Sequence, residues 1–149
     1  MNYGISILSI IPVRLEPNNR SEMTTQLIFG EHFIILESIK KWSKIQIAHD
    51  KYVGWISNNQ IQEIDFEEYE KLDKEIPTLS TDILDIIEGD FNQPIVIGSV
   101  LPTFKSDHAL INNKMYKFTG NTTQGFTQRK HLINNAMVFL NTPYLWGGR

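Results

Sequence analysis

The side chains that most often carry chemistry are few in this 149-residue chain. There is no cysteine, which excludes a thiol nucleophile, a disulfide and a cysteine-ligated metal. The histidines are His32, His49, His108 and His131, and no two have the spacing typical of zinc ligands. Each is interpreted as a structural or surface residue. The residues alone therefore indicate no metal, no cofactor and no catalytic site.

Other reaction and partner classes are excluded in the same way. Gly147-Gly148-Arg149 is not followed by the Lys and Ser or Thr of a phosphate-binding loop, and no serine lies in a nucleophile-elbow pattern. A net charge of −3 with scattered lysines argues against nucleic-acid binding. No apolar stretch approaches the roughly 18 residues of a membrane span.

A binding surface is better supported, in the first third of the chain. Trp42, Tyr52 and Trp55 are expected near strand ends, with Tyr52 at least partly exposed. Glu22 and Glu31 supply carboxylates in the same region. A carboxylate beside a Tyr hydroxyl suits an ammonium group, because charge-assisted hydrogen bonds are strong and directional. The alternative is that both tryptophans belong to the core.

The elements that must position these residues are mostly strands. Residues 3–63 contain short apolar or alternating segments divided by turn formers, with a bend at Gly30, and predict five strands in a small, bent barrel. The acidic segment 65–76 predicts a solvated helical linker that stops at Pro77.

Residues 78–126 return to short apolar segments and predict a second small β unit, with a hairpin turning at Asn112-Asn113. Units of this size are marginal alone, so the two units are expected to pack on each other.

Residues 127–141 predict an amphipathic helix that begins a third unit. Thr127 is its expected cap, and Pro143 prevents its continuation. The apolar residues recur at helical spacing on one face: Leu132, Ile133, Ala136, Phe139 and Leu140.

Three segments resemble a known family. PVRLEPNNRSEMTTQLIFGEHFIIL and DKYVGWI resemble the bacterial SH3-like domain that precedes NlpC-type cell-wall peptidases, and AMVFLNTPYLWGGR resembles the opening of their papain-like catalytic domain. Residues 78–126 are more loosely similar to a second SH3-like domain. The resemblance implies a mainly β fold, with SH3-like barrels at 1–64 and 78–126, a helical linker at 65–77 and the truncated start of an α+β papain-like domain at 127–149.

The family hydrolyses the bond between γ-D-Glu and a diamino acid in murein stem peptides, with a Cys nucleophile and a His base. This chain contains no Cys, and none of its histidines matches the family's base, which lies far downstream, so the chain is expected to be inactive alone and to need the missing catalytic domain. The resemblance implies the substrate-gating region of such an endopeptidase in peptidoglycan recycling. The alternative is a non-catalytic SH3-like module that binds cell-wall peptide or a protein partner.

The motif at the end of the chain carries over residue by residue. Tyr144 matches the family Tyr beside the nucleophile, which helps to bind the substrate and the tetrahedral oxyanion. Trp146, Gly147 and Gly148 match the structural part of the motif. With the rest of its domain missing, segment 127–149 is expected to be disordered or to pack against a neighbour.

In the family, a Tyr and a Glu of the first SH3-like domain hold the free amino end of L-Ala-γ-D-Glu peptides. Tyr52 matches that Tyr. Glu22 matches the Glu, although an alignment shifted by two residues would place Thr24 there. The first residues, MNYGISILSIIPVR, lack the basic residue and cleavage site of a signal peptide, so a cytoplasmic location is expected.

Overall fold

The computed structural model describes residues 1–148, and within them it is mainly β. Arg149, at which the Pro-Tyr-x-Trp-Gly-Gly motif stops, lies outside the described residues. The helices are α1 (Phe66–Lys74) and α2 (Arg129–Val138). The strands are β1 (Asn2–Ile5), β2 (Ile10–Arg14), β3 (Met23–Ile28), β4 (His32–Ile39), β5 (Trp42–Ile47), β6 (Val53–Ser57), β7 (Gln62–Ile64), β8 (Thr78–Ser80), β9 (Leu84–Ile87), β10 (Gln93–Val96), β11 (Val100–Leu101), β12 (His108–Ile111), β13 (Lys114–Lys117) and β14 (Thr122–Thr123).

Residues 1–64, the first β unit, form one antiparallel sheet in the order β3-β2-β6-β5-β4-β1-β7. The unit has seven strands where five were predicted, because the first apolar run divides after Ile5 and the chain adds β7. Alternation places one set of side chains inside, and this set includes Ile45 and Ile47. The core of the unit is Ile11, Val13, Leu27, Phe33, Ile35, Ile45, Ile47 and Ile56.

At the Gly30 bend, the backbone of this unit contacts β11 of residues 78–126. Gly30 has a φ of +80°, and a Cβ there would lie 2.0 Å from the carbonyl oxygen of Val100. The Val100 N–H donates to the Phe29 carbonyl at 2.8 Å. Glycine is therefore required by both the backbone conformation and the close approach of β11.

Residues 78–126, the second β unit, form three small antiparallel sheets. The strand orders are β11-β8-β14, β10-β9 and β12-β13. The β12–β13 hairpin turns at Asn112 and Asn113, whose φ values are 49° and 60°, so the predicted turn is confirmed. The predicted second SH3-like barrel stays a prediction.

Helix α1 was predicted to be a solvated linker, but two of its side chains are buried. Its cap is Asp65, whose side chain accepts the Glu68 N–H at 2.7 Å. Tyr69 and Leu72 are only 8% exposed, because they enter a core shared by both β units. The expected packing of the two units is therefore present. This shared core consists of Ile5, Phe29, Ala48, Ile64, Tyr69, Leu72, Ile87, Ile95, Leu101, Ala109, Ile111 and Phe118.

Residues 127–148, the C-terminal segment, contain the predicted helix as α2. The N-cap is Gln128, which makes no side-chain capping bond, so the expectation of Thr127 was wrong. No residue of α2 is buried. Its apolar stripe is open to solvent, from 48% exposure at Phe139 to 73% at Leu132. Neither helix of the described chain has the length and hydropathy needed to cross a bilayer.

Candidate functional site

The C-terminal segment touches the first β unit at the start of β3, an edge strand of the seven-stranded sheet. The indole Nε1–H of Trp146 donates to Glu22 Oε1 at 2.5 Å. The backbone of Glu22 is itself fixed, because its carbonyl accepts the Leu15 N–H at 3.0 Å. We call residues 22–24 and the facing residues 144–148 the docking edge. It brings together two predicted site residues that are 124 positions apart.

The glycines of the motif let the two backbones meet at the docking edge. Gly147 has a φ of +69°, and a Cβ there would lie 2.1 Å from the carbonyl oxygen of Met23. Any side chain at this position would push the segment away from β3. The Gly148 N–H donates to the Leu145 carbonyl at 3.0 Å and closes the turn. These contacts agree with a structural role for the glycines.

Tyr144 projects from the docking edge into solvent. It is 83% exposed, and its ring contacts that of Trp146 edge-on with 6.5 Å between centroids. The hydroxyl is thus accessible to a ligand. The catalytic neighbour implied by the resemblance is a Cys, which this chain does not contain.

Tyr52 lies near the docking edge without touching it. Its side chain is 41% exposed, as expected, and its N–H donates to the Asp50 carboxylate at 2.9 Å. Arg14 pairs with both Met23 and Trp55, so the start of β3, the end of β2 and the middle of β6 lie side by side. Within the described residues, no side-chain hydrogen bond or ring contact joins Tyr52 to Glu22 or Trp146.

Three other candidate residues are less exposed than the predicted binding surface would require. Glu31 is 5% exposed rather than open, and its carboxylate accepts the Ile28 N–H at 2.9 Å inside the Gly30 bend. A carboxylate at this bend stabilises a turn whose backbone donor would otherwise be buried and unpaired. Trp42 and Trp55 are half-buried, so they are neither full core residues nor free binding platforms.

A cleft of about 440 Å³ opens where the first β unit, α1 and the second β unit meet. His32 and Asp73 line it, with 3.8 Å between Nε2 and Oδ1. The imidazole also packs edge-on against Tyr69. Burial lowers the pKa of His32, and the Asp73 carboxylate opposes this only in part. Sequence reasoning missed the cleft, because its residues come from four separate stretches without a common motif.

Metal coordination is not supported by the arrangement of side chains in residues 1–148. No group of three or more His, Asp or Glu side chains converges there as ligands would.

Comparisons with known proteins agree with the resemblance at a coarser level. Residues 13–61 match the family model of the bacterial dipeptidyl-peptidase SH3 domain. The search of curated proteins found no match. The fold is similar to the crystal structure of an NlpC/P60 family protein from Bacillus cereus ATCC 10987, with a TM-score of 0.75 and 16% identity.

That similarity covers 98% of this chain and 66% of the Bacillus cereus protein. The chain thus spans just under two thirds of the length of the structure that it resembles. The predicted mainly β fold is confirmed. Residues 13–61 form a bacterial SH3-like region, and nearly the whole chain shares its fold with part of an NlpC/P60 family protein.

Proposed function

We propose that this chain is the substrate-gating region of a murein-peptide endopeptidase that cleaves the bond between γ-D-Glu and a diamino acid. The Cys and His of the reaction would belong to a papain-like domain that begins in residues 127–149. The observation that carries the proposal is the Trp146 to Glu22 hydrogen bond, because it fastens the motif of the proposed catalytic domain to the SH3-like region.

The docking edge supplies the groups that such a gate needs. Trp146 occupies Oε1 of Glu22, which orients the carboxylate and leaves Oε2 to accept from a substrate ammonium group. Tyr52 would add its hydroxyl from the neighbouring strand end. Tyr144 would donate to the oxyanion that forms when the missing Cys attacks the carbonyl. A free L-Ala amino end is then the recognised feature, which fits murein peptides recycled in the cytoplasm.

The proposal is tested with the reading frame that continues past Arg149. It should encode Asp-Cys-Ser-Gly soon after this residue, and the complete product should cleave L-Ala-γ-D-Glu-diaminopimelate. Acetylation of the L-Ala amine should lower kcat/KM about 100-fold, since the charge-assisted hydrogen bond between the ammonium group and Glu22 is lost.

Glu22→Gln should lower kcat/KM for the free amine to a similar extent and leave the acetylated substrate unchanged. Glu37→Gln, at an exposed position of β4, is the matched control and should behave as the unaltered protein. A natural stop at codon 149 would refute the proposal. So would cleavage by the 149-residue chain itself, which has no cysteine.

The complete absence of cysteine from the chain favours a second candidate, a module that only binds cell-wall peptide. The two candidate functions predict different affinities of the isolated 149-residue chain for the peptide. A dedicated module should bind L-Ala-γ-D-Glu measurably in calorimetry. A gate that completes its site only with the catalytic domain should bind at least about tenfold more weakly than the complete protein.

A further inference from the structure

The cleft between the two β units and α1 is separate from the docking edge, since Glu22, Tyr52 and Trp146 do not line it. Its volume of about 440 Å³ falls in the range of small-molecule sites, about 300 to 1,000 Å³. It lies where chain segments that are distant in sequence are held together by the shared core. A ligand there would contact both β units at once.

The polar lining of the cleft is predominantly acidic. Asp73 and Glu75 come from the end of α1 and the residue after it, and Glu31 comes from the Gly30 bend. His32 lies among them and is uncharged near neutral pH, because burial lowers its pKa. The positive charge of nearby Lys51 also lowers the pKa of His32. Three carboxylates against one lysine leave the cleft with a net negative charge.

Two polar atoms of the lining residues are buried and have no hydrogen-bond partner. They are Glu75 Oε2 and His32 Nε2. The distance of 3.8 Å from His32 Nε2 to Asp73 Oδ1 is too long for a hydrogen bond. A buried carboxylate oxygen without a donor is unfavourable, so a native structure normally supplies one. The unpaired charge on Glu75 adds negative potential to the wall of the cleft, which favours a cation there.

The remaining lining is apolar. Leu72 of α1 forms one side, and Leu79, Val100 and Leu101 of the second β unit form the other. Such walls accept a short hydrocarbon chain, whose burial from water is favourable. Recognition would then combine apolar contact with a few fixed polar groups, as small-molecule sites usually do.

We propose that this cleft binds a small organic cation, a primary ammonium group carried on a short apolar chain. The ammonium group donates to the accessible Asp73 carboxylate, and the negative charge of Glu75 beside it adds to the attraction. The hydrocarbon chain lies between Leu72 and Val100. The proposal is independent of the peptidase function, because it uses none of the residues of the docking edge.

Calorimetric titration of the 149-residue chain with pentylamine, 1,5-diaminopentane and 1-pentanol tests the proposal. The two amines should bind, and 1-pentanol should bind at least about tenfold more weakly, because it lacks the charge that the carboxylates recognise. Nuclear magnetic resonance of the same samples should show the largest shifts at His32 and Asp73. Absence of binding by both amines, or equal binding by the alcohol, would overturn the proposal.

Two conservative variants locate the site. Asp73→Asn and Glu75→Gln should each weaken pentylamine binding about tenfold, since each removes one charge and keeps the shape of the side chain. Asp73 is half-exposed, so its variant should fold even if the other does not. Glu67→Gln, at an exposed position in the first turn of α1, should change the affinity less than about twofold. Unchanged affinity in Asp73→Asn would place the amine elsewhere and refute the proposed site.

Discussion

The first β unit and the C-terminal segment both have a regular apolar periodicity, of two residues in the strands and of a helical turn in α2, but opposite burial. Phe33 on β4 is fully buried, whereas Phe139 at the end of α2 is 48% exposed. The strands of the first unit find partners within residues 1–64, but the stripe of α2 finds none within the described chain. The difference teaches that a periodic pattern specifies which face of an element will be buried and leaves open what will cover it.

The largest expected effect is on stability, from truncating one Phe in each region. Phe33→Ala should lower the free energy of unfolding by about 3 to 5 kcal/mol, because it leaves a cavity in a packed core. Phe139→Ala should lower it by less than about 0.5 kcal/mol, since an exposed ring loses little contact. Denaturant unfolding monitored by circular dichroism measures both. A comparable loss in Phe139→Ala would show that α2 is packed in solution.

The next comparison is between Gly30 and Gly147, two positions where the chain passes close to the backbone of another segment. Gly30→Ala should cost about 2 to 3 kcal/mol of global stability, because a positive φ and the contact with Val100 both oppose a side chain. Gly147→Ala meets the same two obstacles at Met23 but should release only the C-terminal segment.

Hydrogen exchange separates the two results. Gly30→Ala should speed exchange throughout residues 1–118, and Gly147→Ala only near residues 144–148. Gly125→Ala, where a Cβ meets no atom within 4 Å, is the control for the strain of a positive φ alone. Equal global losses at positions 147 and 30 would contradict the proposed independence of the two regions.

Acid should destabilise the first β unit through His32. Burial holds the pKa of His32 below its ordinary value of 6.5, so the unfolded chain takes up this proton at a higher pH than the folded chain does. The free energy of unfolding should therefore fall as the pH drops below 6.5 and recover above it. Denaturant unfolding between pH 5 and pH 8 measures the slope.

His32→Gln should flatten this dependence, because Gln does not titrate. An equal slope in His32→Gln and the unaltered chain would assign the acid sensitivity to another group.

The last comparison concerns the hydrogen bond that joins the two regions, where only a small effect on stability is expected. Trp146→Phe and Glu22→Gln should each change global stability by less than about 1 kcal/mol, because the bond is exposed to solvent. Both should raise the exchange rates of residues 144–148 severalfold. Glu16→Gln, in the loop before β3, is the matched control. Unaltered exchange in both variants would mean that the glycine contact alone holds the segment.

Sequence reasoning predicted the elements that local chemistry decides. The bend at Gly30, the Asn112-Asn113 hairpin and the helix before Pro143 follow from backbone preferences of single residues, and the structure contains all three. The exposure of Tyr52 followed from its polar neighbours in the same way.

The features that sequence reasoning missed depend on contacts between distant residues. Glu31 looked like a free carboxylate but turns back onto the Ile28 N–H. Helix α1 looked solvated because of its acidic residues, yet Tyr69 and Leu72 face the shared core. The meeting of Glu22 with Trp146 depends on 124 intervening residues. Periodicity and composition carry no information about such pairs.

The core that both β units share also constrains the order of events during synthesis. Phe29 leaves the ribosome long before Phe118, which completes the same cluster. Closing a loop of that length is costly in entropy and slow relative to local strand pairing. The first β unit must therefore wait with Ile5 and Phe29 uncovered until the second has emerged. A pause in translation between them would lengthen the time in which this surface is open to chaperones or to aggregation.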